Sequence, residues 1–177
     1  MTSPDGRAWT RHRDASPRGA GFSRLFTAPG ETRDPCVLRV GESWHLYYAG
    51  YHDGDPAQAG FYLRTSPDLL HWSDWTLVHQ DTRYGPGQWD TECPHVVARG
   101  GATYLFRTED YASAKTHVFR SADPADFGVG DARDKYVCTL AVAAPEIVVD
   151  ADGQEYITSN HDLRGGTRLF RLKWEEV

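Results

Sequence analysis

The chain has 177 residues, of which 40% are hydrophobic, 12% aromatic and 25% charged, and it carries a net charge of −6. This composition excludes wholesale disorder and a collagen-like chain, and the acidic excess argues against a nucleic-acid partner, whose duplex would call for a basic surface. No apolar run approaches the ~20 residues of a membrane span, and the length suits one domain with a buried core.

The first residues, Met1 to Arg7, are polar and contain no apolar h-region, so no secretory signal is visible. Cys36, Cys93 and Cys138 are odd in number, far apart and without a C-x-x-C pair. Free, half-buried thiols are expected rather than a disulfide framework or a structural zinc site. These features fit a cytoplasmic protein.

Along the chain the apolar runs are short, β-branched or aromatic, and partly alternating. They are Cys36–Val40, Trp44–Tyr48, Phe61–Arg64, Val96–Val97, Thr103–Arg107, His117–Arg120, Glu146–Val149, Glu155–Thr158 and Arg168–Leu172. Gly41, Gly100-Gly101, Asp152-Gly153 and Gly165-Gly166 punctuate them. Short strands at this spacing predict an all-β protein built from antiparallel meanders.

Internal repetition narrows the architecture. Arg33-Asp34-Pro35, Glu92-Cys93-Pro94 and Ala143-Ala144-Pro145 each open a strand, about 50–60 residues apart. A Tyr-containing strand follows each (Tyr47-Tyr48, Tyr104, Tyr156), then a strand pairing an aromatic with an arginine (Tyr62/Arg64, Phe119-Arg120, Phe170-Arg171). A second marker, S-x-D-x-x-x-aromatic, closes the unit at Ser66/Asp68/Trp72 and Ser121/Asp123/Phe127, and recurs at Ser3/Asp5/Trp9. Its short polar residues suit a turn after strand three, with the aromatic covering the sheet in strand four. Such a unit is the blade of a β-propeller. The units predicted are 1–12 as the end of a preceding blade, then blades at 31–80, 88–128 and 141–174. The first strand belonging to the Ser3 marker would lie upstream of Met1, so an incomplete propeller of about three blades plus the end of another is expected. Its open blade edges would allow self-association.

First strands line a propeller's channel, so Asp34 and Glu92, at the heads of consecutive first strands, would converge on one funnel although remote in sequence. Two converging carboxylates are the working parts of glycoside hydrolysis, one protonating the leaving oxygen while the other attacks or stabilises the oxocarbenium-like centre. The acid needs a raised pKa, which partial burial and a carboxylate neighbour supply. Arg33 would hold a carboxylate ionised or bind hydroxyls. Trp89 and Asp90 precede Glu92, and Trp89 is the candidate sugar platform. Second-strand ends carry Tyr51-His52-Asp53, Thr108-Glu109-Asp110 and Asn160-His161-Asp162. His52, Glu109 and His161 are therefore candidate rim contacts to sugar hydroxyls, though turn chemistry accounts for the recurrence equally well. His95 and Glu146 each follow a strand-one proline, but two lone side chains make a poor metal site. No cofactor is called for. The expected partner is an oligosaccharide or small glycoside.

Arg33-Asp34-Pro35 and Glu92-Cys93-Pro94 resemble the R-D-P and E-C-P motifs of glycoside hydrolase family 32, the β-fructosidases. The related family 43 arabinanases and xylosidases share a five-bladed propeller with looser motifs. The resemblance implies an incomplete five-bladed propeller acting on a fructoside, with Asp34 stabilising the transition state, Arg33 contacting substrate and Glu92 as general acid/base. That family's nucleophile sits in a first-blade N-D-P-N-G motif, which nothing here matches, so this chain alone is expected to turn over little substrate. A non-catalytic sugar-binding propeller segment is the alternative. A protein-interaction propeller is disfavoured because no G-H or W-D repeat marker is present.

Overall fold

The computed structural model describes residues 3–10, 31–51, 54–162 and 166–175. Their strands form three antiparallel sheets, each wound in chain order. The first holds β1 (Glu31–Val40), β2 (Ser43–Tyr51), β3 (Gly60–Ser66) and β4 (Thr76–His79). The second holds β5 (Glu92–Arg99), β6 (Ala102–Asp110), β7 (Lys115–Ser121) and β8 (Tyr136–Leu140), and the third β9 (Ile147–Val149), β10 (Glu155–Asp162) and β11 (Gly166–Arg171).

Alternation within strands makes the sheets stack. In the first sheet Tyr47, Ala49, Phe61, Leu63 and Val78 point one way and join Val96, Leu105 and Phe119 of the second in a core. The opposite face of the second sheet, with Phe106 and Val118, packs on Ile147 and Ile157 of the third. The second sheet thus buries both faces, one against each neighbour, as an inner blade of a propeller does, and the first strands β1 and β5 lie side by side. Two-residue hairpin turns close β1 on β2 and β5 on β6. Gly41 at φ 59° and Gly100 and Gly101 at φ 58° and 77° supply the left-handed conformation those turns require.

The S-x-D-x-x-x-aromatic marker has one hydrogen-bonded form in separate copies. Asp5 Oδ1 accepts from Arg7 and Ala8 N–H, as Asp68 Oδ1 accepts from Leu70 and His71 N–H. Trp9 Nε1 donates to the Gly6 carbonyl and Trp72 Nε1 to that of Leu69, both at 3.1 Å. The aromatic does not lie in strand four as expected: Trp72 precedes β4, and Phe127 precedes β8. The reason is long-range packing. Phe127 is fully buried in the core between the first two sheets, and its N–H donates 2.8 Å to the Val78 carbonyl of β4. The chain is thereby carried back against the first sheet, and strand four of the second falls at Tyr136–Leu140, past the expected limit of 128.

Candidate active site

The heads of the first strands share one irregularity. Between Arg33 and Cys36 the pairing of β1 with β2 slips, from Arg33↔Ala49 to Cys36↔Tyr47. Between Glu92 and His95 that of β5 with β6 slips alike, from Glu92↔Thr108 to His95↔Phe106. Each slip is a bulge of one extra residue. The pre-proline residue within it has positive φ: 55° at Asp34, 50° at Cys93, and 46° at Ala144 of the third repeat. A left-handed non-glycine residue costs on the order of 1–2 kcal/mol. Repeated strain at one register position marks a place where the backbone re-aims side chains.

Aligned by these bulges, Glu92 is the counterpart of Arg33, and Cys93 that of Asp34. Unlike side chains at equivalent positions therefore meet between the sheets. Arg33 Nη2 lies 3.4 Å from Glu92 Oε1, and Arg33 Nε lies 3.7 Å from Asp34 Oδ2. Asp34 Oδ2 also accepts the Cys93 backbone N–H at 3.0 Å. The two carboxylates singled out in the sequence are brought together around a single guanidinium. Glu31 joins them, its Oε1 lying 3.4 Å from Arg33 Nη1.

Glu92 is only 9% exposed. Burial, abetted by the negative charges of Asp34 and Glu31 and opposed by Arg33, raises its pKa above the usual carboxylate value. Beside it the Cys93 thiol is pushed up to about 12, chiefly by burial. It shares a 2.7 Å hydrogen bond with the Tyr111 hydroxyl, whose own pKa burial raises strongly. The Cys93 thiol and the Tyr111 hydroxyl therefore stay uncharged at neutral pH, beside a carboxyl whose pKa is raised.

The 3-10 turn Gln88–Asp90 leads into Glu92 and presents Trp89, which is 67% exposed. Arg33 reaches this turn too: Nη2 donates to the Gln88 carbonyl, and its Cζ sits 5.4 Å from the Trp89 ring centre. Asp90 shapes the turn, its Oδ2 accepting from Gly87 N–H at 3.2 Å. Glu109 is held at the end of β6 by Lys115 at 2.7 Å and His117 at 2.5 Å. His52 lies outside the described residues, as does the side chain of His161, whose backbone belongs to β10. His95 and Glu146 engage each other, Nδ1 to Oε2 at 2.8 Å, while His95 Nε2 accepts from Ile147 N–H.

Three residues went unnoticed in the sequence. Glu31 was detectable, since strand alternation places it on the side of Arg33. Tyr111 and Arg107 were not, because both act through partners remote in sequence or through backbone carbonyls.

No protein-family profile and no curated relative matches the chain. Solved structures do. An exo-β-1,3-galactanase from Clostridium thermocellum matches with a TM-score of 0.58 at 16% identity, covering 92% of this chain and 37% of its own. The GH43_1 enzyme from Xanthomonas citri complexed with xylotriose matches at 0.57 and 19% identity, covering 77% and 42%. The arabinanase of Bacillus subtilis matches at 0.55 and 18%, covering 79% and 51%.

The three sheets are blades of a five-bladed β-propeller. At these identities the likeness is one of fold, and it runs to propeller glycosidases of family 43. The chain spans between a third and about half of the length of these propeller enzymes.

Proposed function

We propose that this propeller carries the proton-donor side of a glycoside hydrolase site. Glu92 is the general acid, its pKa raised chiefly by burial, and Asp34 is the neighbouring carboxylate that adds to that rise and stabilises positive charge on the sugar. The observation that carries this reading is the pair of first-strand carboxylates meeting at one guanidinium, with the more buried of the two raised in pKa. Protonated Glu92 gives its proton to the leaving oxygen as the glycosidic C–O bond breaks and the sugar carbon takes on oxocarbenium character, next to anionic Asp34. Arg33 holds both carboxylates in place, and Trp89 offers its exposed ring to the sugar face. The carboxylate on the opposite face of the sugar, nucleophile or base, comes from a further blade. The motif resemblance makes a fructoside the first substrate to try. The proteins of like fold, described as a galactanase, an arabinanase and a xylotriose-bound enzyme, set the others.

Exposure of Trp89 beside a fixed guanidinium favours a second reading, sugar binding without hydrolysis. One panel separates the two. Fructo-, arabino-, xylo- and β-1,3-galacto-oligosaccharides are titrated while tryptophan fluorescence and reducing-sugar release are followed. Saturable binding with turnover that Glu92→Gln lowers by about a hundredfold or more supports the enzyme. Binding without turnover when the further blade is present supports the second reading, and no binding by any class overturns both.

A further inference from the structure

Arg107 is 1% exposed, on the face of β6 turned toward the first sheet, and no carboxylate lies within ion-pair distance of it among the described residues. Its guanidinium instead collects the loop that enters β5. Nη2 donates to the Gly85 carbonyl at 2.7 Å, the Asp90 carbonyl at 3.0 Å and Thr91 Oγ1 at 2.9 Å. Nη1 donates to the Asp81 carbonyl at 3.0 Å and to His79 Nε2 at 3.2 Å, and Nε to the Asp90 carbonyl at 3.2 Å. His79 is a neutral acceptor there: burial, with the charge of Arg107 beside it, pushes its pKa down to about 3, and its Nδ1 donates to the Phe127 carbonyl. Burial lowers the pKa of Arg107 to about 10, which still leaves it a cation.

A buried cation satisfied by carbonyl oxygens is costly unless every contact is made. The loop has little freedom left. Gly85 takes φ 114°, and a side chain there would press on Asp90, 2.9 Å from its carbonyl oxygen. From the other side Arg33 donates to the Gln88 and Thr91 carbonyls. Two arginines from neighbouring sheets thus clamp one short segment, and Glu92 follows it directly.

We propose that Arg107 is a positioning residue for Glu92, fixing the segment Gly85–Thr91 so that the Glu92 carboxyl stays buried beside Arg33, Asp34 and Glu31. This rests on the reading of Glu92 as the proton donor, but its test does not need turnover. Amide hydrogen exchange across the full chain and the NMR titration of the Glu92 carboxyl are compared in wild type, Arg107→Lys, Arg107→Met and Thr91→Val.

Arg107→Met should speed exchange in residues 85–92 by roughly tenfold or more while Leu105 and Phe119 change far less. The Glu92 pKa should fall toward the ordinary carboxylate value as water reaches it. Arg107→Lys should restore part of both effects. Should Arg107→Met fail to fold, Thr91→Val, which removes one acceptor at nearly constant volume, is expected to move both readouts in the same direction by less. Faster exchange spread evenly over β5 to β7, or an unmoved Glu92 titration in the folded variants, overturns the proposal. If the loop and the Glu92 pKa respond but Glu92→Gln leaves hydrolysis untouched, the positioning stands and the assignment of Glu92 falls.

Discussion

Arg33 and Glu92 occupy the same register position in consecutive sheets, each just before a bulge, and their side chains meet at 3.4 Å. Repetition of one unit has put a cation and an acid where an identical repeat would have put two like residues. The chemistry proposed for this protein follows from that substitution.

Replacing Glu92 should separate activity from stability. Its carboxyl pKa is higher in the folded chain than in the unfolded one. Its stabilising contribution is therefore complete below the ordinary carboxylate pKa and is lost as pH rises through the folded value. Glu92→Gln keeps the shape without that loss. Its thermal midpoint, measured from pH 4 to 8, should gain on wild type as pH rises, while hydrolysis falls about a hundredfold or more. A midpoint difference that shrinks with rising pH would contradict the raised pKa.

Arg33→Met removes the one guanidinium shared by Glu31, Asp34 and Glu92. With the Arg33 side chain 16% exposed, a destabilisation of about 2–4 kcal/mol is expected in urea unfolding at neutral pH. The loss should diminish toward acid pH, where the carboxylates protonate.

The repeat was legible because its markers are local. Ser66, Asp68 and Trp72 bond to backbone within their own turn, so the spacing of three residues carries the geometry. The bulges were legible only as prolines. That the bulge makes Glu92 the partner of Arg33 depends on pairing with β2 and β6, which the order of residues does not display. Phe127 misled for the same reason, since its place is set by Val78 and His79 of another sheet. Glu109, read as a rim contact, carries a local signal that its pairing with Lys115 and His117 explains as well as sugar binding would.

Gly50→Ala should damage the site from a distance. The backbone of β1 passes so close that an added Cβ would overlap the Glu31 carbonyl oxygen and come within 3.1 Å of its carbon. Overpacking against backbone costs about 1–3 kcal/mol, and here it displaces the strand carrying Glu31, Arg33 and Asp34. Gly87→Ala is the control, since its Cβ would meet only Asp90 Oδ2 at 3.5 Å. Denaturation midpoints of the two variants should differ accordingly.

Trp89→Ala should leave stability within about 0.5 kcal/mol of wild type, because the ring is a surface group. Sugar affinity, followed by calorimetry, should fall at least tenfold, the loss of one aromatic platform. Unchanged affinity would remove Trp89 from the site.

The central claim is that Asp34 and Glu92 sense each other across Arg33. Carbon-detected NMR of the glutamate carboxyls, in wild type and Asp34→Asn, measures this directly. Glu92 should titrate above the ordinary glutamate value in the wild type and move down when Asp34 loses its charge. A Glu92 that titrates at its ordinary value and ignores Asp34→Asn would contradict the account.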